Sequence, residues 1–152
     1  PLCGFYADCV VTLLYDPATH TAGVAHAGWR GMAGGILPKT VEVMVARLGA
    51  RRESLIAVLG PSIRQECFET DADVPEAMER LLGVAVRPYI REKGAKFHVD
   101  LQGIGVKLLR DAGLAPENVI DSGLCTMCHS DEFWSHRATR GVRGVQGGVI
   151  CL

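Results

Sequence analysis

Residues 9–31 read CVVTLLYDPATHTAGVAHAGWRG, and this stretch decides the fold. Cys9 to Tyr15 is a β-branched apolar run of strand length. Asp16-Pro17 ends it, since proline brings no N–H to a ladder. Thr21 to His26 then reads as the antiparallel neighbour of the first run. The join between them is far too short for the crossover that parallel strands require. Tight joins of this kind favour an α+β domain, with mixed β-sheets flanked by helices, over a doubly wound one.

Outward from this pair, helical spacing runs from Met32 to Leu48, with Ile36, Val41, Met44, Val45 and Leu48 on one face. Pro38 marks a kink or a helix start, and Gly49 the C-cap. Leu55 to Leu59 is a short continuous apolar run, read as a buried strand. Residues 62–69 form a polar loop around Cys67, and Asp73 to Leu82 a helix. Val84 to Gly94 reads as irregular. Phe97 to Leu101 places His98 where a strand meets a helix, with Asp100 as N-cap; that helix stops at Gly113. Val119-Ile120 is a short strand, the next stretch is loop-rich, and Gly144 to Leu152 is a closing strand.

At 152 residues, 48% apolar and net charge −1, the chain is expected to be one globular domain, 1–152. The balance of charge gives no bulk case for nucleic acid or an anionic membrane, and no apolar run is long enough to span one. The chain opens on Pro1 rather than Met, and a shortened N-terminus is the expectation. Six cysteines in a chain of this apolar content need not be staples, so reduced thiols in a cytoplasmic protein are expected.

His26, Cys67 and His98 all fall where a strand meets a loop or helix. Two imidazoles and a thiolate suit zinc and leave a fourth position for water or substrate. The alternative is two core histidines and a buried thiol, because spacings of 41 and 31 residues make no local metal motif. Cys67 with a histidine, His98 or His26, could instead be a thiol nucleophile and its base. Arg30 offers a planar fork for phosphate or carboxylate. Cys125-x-x-Cys128-His129 fits the c-type haem pattern, but no export signal or haem pocket is apparent; the two read as loop thiols, one facing the site.

Five stretches together resemble the laccase-domain family of polyphenol oxidases, peptidoglycan editing factors and purine nucleoside phosphorylases. They are Ala7-Asp8-Cys9, His26 to Gly31, Gly60-Pro61-Ser62-Ile63 with Cys67-Phe68-Glu69, His98 to Leu101, and Cys125-Thr126 with Phe133 to Arg137. The resemblance implies a mixed α/β fold and a cytoplasmic enzyme. It assigns a metal, zinc with copper as the alternative, to His26, Cys67 and His98. It implies phosphorolysis of purine nucleosides, including methylthioadenosine, and deamination of adenosine, with a nucleoside and phosphate as partners. Arg30 would hold an anion, and Asp8 is a candidate to orient a ligand imidazole.

Departures from the family pattern are a missing N-terminal segment with a Gln-x-His-Gly stretch, Ser135-His136-Arg137 for Ser-Tyr-Arg, and Gly144-Val145-Gln146 for Gly-Arg-Gln. Gly105 stands where an Asn is usual. Alternatives to the nucleoside reading are a copper polyphenol oxidase, a thiol hydrolase using Cys67 with His98, and a non-catalytic metal-binding domain. Five histidines are too few for blue-copper chemistry with a trinuclear cluster.

Overall fold

The computed structural model describes residues 1–152. Strands β1 (Leu2–Tyr6), β2 (Val10–Asp16) and β3 (Thr21–Ala27) come first, then helices α1 (Trp29–Ala33) and α2 (Ile36–Leu48). β4 (Ile56–Leu59), β5 (Glu69–Thr70), α3 (Asp73–Leu82), a 3-10 segment (Gly83–Tyr89), β6 (Ile90–Lys93) and β7 (Lys96–Val99) follow. The chain closes with α4 (Leu101–Asp111), β8 (Val119–Asp121) and β9 (Gln146–Ile150).

β2 and β3 pair antiparallel from Val10↔Ala27 to Asp16↔Thr21, as the opening stretch requires. They belong to a four-stranded sheet in the order β3-β2-β4-β8, mixed because β4 and β8 run parallel. The chain from β5 to α4 supplies the long crossover that this parallel pair needs. One face of the sheet, carrying Val10, Leu14, Ala25, Ala27, Ala57 and Leu59, is buried in the main apolar core. Helices α1, α2 and α4 bring Met32, Leu37, Val41, Met44, Ile104 and Leu109 to the same core. The alternation of apolar residues on β2 thus specifies which face is covered.

The other face carries β1 and β9, an antiparallel ribbon in which Gly4 lies opposite Gly148. Both glycines allow close approach: a Cβ on Gly4 would lie 3.0 Å from Val24 Cγ1, and one on Gly148 3.2 Å from Val11 Cγ1. A third sheet, β5-β7-β6, carries His98.

The helix expected over Met32–Leu48 is two helices. The chain breaks at Gly34-Gly35, where Gly35 adopts φ 71°, a conformation only glycine takes without strain. Pro38 sits in the first turn of α2, so it marks a start and no kink. Three strands escaped the sequence reading: β1, β6 and the two-residue β5, which begins at the end of the stretch read as a polar loop. β1 has no alternation strong enough to announce it, and β6 lies in the stretch read as irregular, where only pairing with β7 makes the strand. Asp100 caps α4 as expected, its Oδ1 accepting from Gly103 N at 2.9 Å. Gly105 lies between α4 and the sheet, and a Cβ there would meet Leu59, Leu37 and Met32 at 3.0–3.3 Å. No helix is long and apolar enough to cross a membrane.

Candidate functional site

Asp8 organises the site. It enters β2 at φ 74°, a left-handed conformation that Asp tolerates better than most residues. Its Oδ1 accepts from Thr126 Oγ1 at 2.6 Å and its Oδ2 from Arg137 N at 2.8 Å. Its carbonyl accepts from Ile63 N at 3.0 Å. One residue therefore holds three loops that are far apart in sequence.

The Ser62 loop and the Cys125 loop are also joined directly. Ser62 N donates to Leu124 O at 3.2 Å, and Thr126 N donates to Ser62 O at 3.1 Å. Gln102, buried on α4, donates to Gly60 O at 2.9 Å and to Ser62 Oγ at 2.8 Å. Arg64 Nη1 donates to both carboxylate oxygens of Asp121 at the end of β8, at 2.8 Å to Oδ1 and 2.7 Å to Oδ2. A turn then closes, with Cys67 N and Phe68 N both donating to Arg64 O at 2.9 Å.

These joins bring Cys67 to Cys125 and Cys128. The three sulfurs lie within 4.8 Å of one another, and Cys67 Sγ is 3.5 Å from Cys128 Sγ. They form a group able to hold a metal ion. Cys125 is buried, Cys67 half-buried and Cys128 exposed; all six cysteines are free thiols. Burial, then the neighbouring Cys128 and Cys125, pushes the Cys67 thiol up to about 12. Burial also acts to raise Cys125, but N–H groups of Arg64, Cys128 and Met127 and the Cys128 thiol outweigh it, so its pKa falls below the ordinary value. Cys67 therefore holds its proton more firmly than Cys125 does. That state does not suit Cys67 as a nucleophile.

Neither imidazole belongs to this group. His98, on β7, places Nδ1 2.9 Å from Gln65 O, a carbonyl that only accepts, so Nδ1 carries a proton. Its Nε2 is buried without a hydrogen-bond partner, 3.8 Å from Glu69 Oε2. His26 lies opposite Val11 on β3 with its side chain exposed. Arg30 is exposed on α1, its guanidinium 4.1 Å from the Trp29 ring, and it forms no ion pair. Asp8, considered as a partner for a ligand histidine, spends its carboxylate on Thr126 and Arg137.

Sequence reading passed over Cys125 and Cys128 as paired partners of Cys67. Their C-x-x-C spacing was the available signal, and the bridge between Ser62 and Cys125 joins their loop to the one that carries the third sulfur. Cys9 was passed over too; its sulfur lies 3.1 Å from where a Cβ on Gly28 would stand, and burial raises its pKa. Ser135, by contrast, is structural: it is buried and its Oγ accepts from Ala138 N at 3.1 Å.

Comparisons with known proteins fit this architecture. The chain is 36% identical over 139 residues to the purine nucleoside phosphorylase YlmD of Bacillus subtilis, covering 91% of this chain and 50% of that protein. It is 37% identical over 135 residues to adenosine deaminase RL5 of an unknown prokaryotic organism, covering 86% and 50%. The crystal structure of the Bacillus licheniformis hypothetical protein YfiH superposes with a TM-score of 0.92 at 33% identity, covering 96% of this chain and 55% of that one. The chain thus spans about half the length of these relatives. The family model described as multi-copper polyphenol oxidoreductase laccase matches residues 1–152 from end to end. With its motifs in order and its fold shared, the chain belongs to this laccase-domain family.

Proposed function

We propose that this chain carries a metal-dependent purine nucleoside phosphorylase that also deaminates adenosine and accepts methylthioadenosine. One observation supports the reading: relatives named for each of the first two activities match along most of the chain. In phosphorolysis a phosphate oxygen attacks C1′ of the ribose. The bond from C1′ to the purine nitrogen breaks, its electron pair leaves with the base, and the base takes up a proton. Ribose 1-phosphate is the second product. In deamination water adds at C6 of adenine and ammonia departs, leaving inosine.

Arg30 is the residue of this chain best suited to phosphate. Its guanidinium is free of carboxylates and is steadied against Trp29. It follows directly from β3, four residues after His26.

Zinc, when bound, would polarise a water or orient the phosphate, and copper is the alternative metal. The resemblance gives zinc to His26, Cys67 and His98. His98 Nε2, buried and without a partner, has a lone pair to offer. The fit is incomplete, because the close group around Cys67 is completed by Cys125 and Cys128, and neither imidazole is a member of it. No step of the reaction is therefore derived through that set.

The test is chromatography of adenosine, inosine and methylthioadenosine incubated with metal-replete protein, with and without phosphate. Free base should appear only with phosphate, and inosine should form from adenosine without it. Arg30→Ala should raise the KM for phosphate and leave deamination nearly unchanged. Base release independent of phosphate would point to a hydrolase instead.

A further inference from the structure

We propose that Gln65 is the positioning residue for His98: it fixes the tautomer and the aim of the imidazole, so that Nε2 is the atom His98 offers to the site. The proposal rests on the reading of His98 as a residue of the proposed enzyme; the tautomer is measured without turnover, so the two fail separately.

Gln65 stands on the turn after β4 and is 7% exposed. A long amide is seldom buried unless its donors are used. Here Nε2 donates to Tyr89 O at 3.1 Å and to His98 O at 3.4 Å. The main-chain carbonyl of the same residue accepts from His98 Nδ1 at 2.9 Å. Gln65 therefore grips His98 twice, at its backbone through the side chain and at its ring through the main chain. Tyr89 O also accepts from Asp100 N at 2.8 Å, so the amide reaches a carbonyl already tied to the start of α4. The turn has other anchors: Ser62 N donates to Leu124 O, and Arg64 Nη1 donates to Asp121. Those bonds hold the turn without Gln65, whose own contacts converge on His98 and the Tyr89 carbonyl.

A neutral imidazole carries one proton, and its two nitrogens exchange roles between tautomers. A carbonyl can only accept, so the Gln65 contact puts the proton on Nδ1 and the lone pair on Nε2. Nε2 is buried with no hydrogen-bond partner; Glu69 Oε2 stands at 3.8 Å, beyond hydrogen-bond reach. With the Gln65 carbonyl out of place, the proton can leave Nδ1 and a proton can add at Nε2, on the side of Glu69. The ring keeps its charge but no longer offers a lone pair at Nε2. A hydrogen bond of ordinary net strength biases such a balance by about fivefold. The side-chain amide acts one step back, because it locks in place the carbonyl that makes the choice.

The test is nitrogen-15 NMR of the full chain with labelled histidine, reduced, freed of metal by chelation and held at about pH 8, where free imidazole is neutral. His98→Gln assigns the signal. In the parent, His98 should show a protonated Nδ1 and a bare Nε2. Gln65→Met keeps the length and removes both donors; the tautomer ratio should shift by about fivefold toward Nε2–H, and the Nδ1 proton should exchange with water at least about fivefold faster. Gln65→Asn, one carbon too short to reach both carbonyls, should shift the same way, and serves if Gln65→Met does not fold. Arg64→Gln releases the same turn from Asp121 and should leave the His98 pattern of the parent. With inosine and phosphate, metal-replete Gln65→Met should lose about fivefold in kcat, with the KM for phosphate within about twofold of the parent. A parent His98 protonated on Nε2, a Gln65→Met pattern identical to the parent, or an equal shift in Arg64→Gln would overturn the proposal. Absence of phosphorolysis in the parent would sink the nucleoside reading and leave the NMR result to decide this one.

Discussion

Replacing Asp8 tests how the site is held together. Its carboxylate receives bonds of 2.6 and 2.8 Å from two segments more than a hundred residues away. Hydrogen bonds to a charged acceptor contribute about 1.5–3 kcal/mol each. The residue is only half-buried, so the lower end applies, and Asp8→Ala should lose about 3 kcal/mol from this source. Alanine at φ 74° adds about 1 kcal/mol of backbone strain. Asp8→Gly loses the same bonds without the strain and should be about 1 kcal/mol better than Asp8→Ala. Asp8→Asn keeps an acceptor oxygen and tolerates the backbone, so it should lose about 1–2 kcal/mol.

Urea denaturation at neutral pH, followed by circular dichroism, reads the order. With a slope of about 2 kcal/mol per molar urea, Asp8→Ala should lower the midpoint by about 2 M. The thiols of Cys67 and Cys125 should also react faster with a disulfide reagent, because the loops that carry them lose a tether. An Asp8→Ala midpoint within about 0.3 M of the parent, or Asp8→Gly less stable than Asp8→Ala, would refute the reasoning.

Three further outcomes follow from the same contacts. Asp16 is fully buried; burial raises its pKa, but bonds from Ser54 Oγ, Arg51 N, Thr19 Oγ1 and Ala18 N outweigh it and hold it at about 2 against an ordinary 3.8. The stabilisation this gives, about 2 kcal/mol, is complete above pH 4 and is lost as pH falls from about 4 to about 2. Urea midpoints across that window should fall in the parent and lose this component in Asp16→Asn. Gly105→Asn should cost at least about 2 kcal/mol, because the added atoms meet Leu59, Leu37 and Met32 in a packed core; an unchanged midpoint would show spare room there. Brief alkylation at pH 7.5 should label Cys3, Cys128 and Cys151 before Cys67, whose pKa of about 12 keeps it a thiol; mass spectrometry of the peptides reads the order.

The hairpin of β2 and β3 was legible in the sequence because its alternation and its tight join are local signals. The N-cap at Asp100 was legible for the same reason. β1 was not, because its strand character comes from pairing with β9, nearly the whole chain away. The single helix expected over Met32–Leu48 failed at Gly34-Gly35, where apolar spacing continues across a backbone that turns. At the site, residue types signalled metal chemistry around Cys67, but spacing could not say which partners meet its sulfur. That depends on the Ser62–Cys125 bridge and on Asp8, contacts that join segments about 60 to 130 residues apart.

Phosphorus NMR of the metal-replete protein with inosine and inorganic phosphate tests the proposed activity most directly. The account predicts a growing resonance of ribose 1-phosphate, matched one to one by hypoxanthine. Hypoxanthine without ribose 1-phosphate, or inosine that stays intact beside a folded, metal-loaded chain, would contradict it.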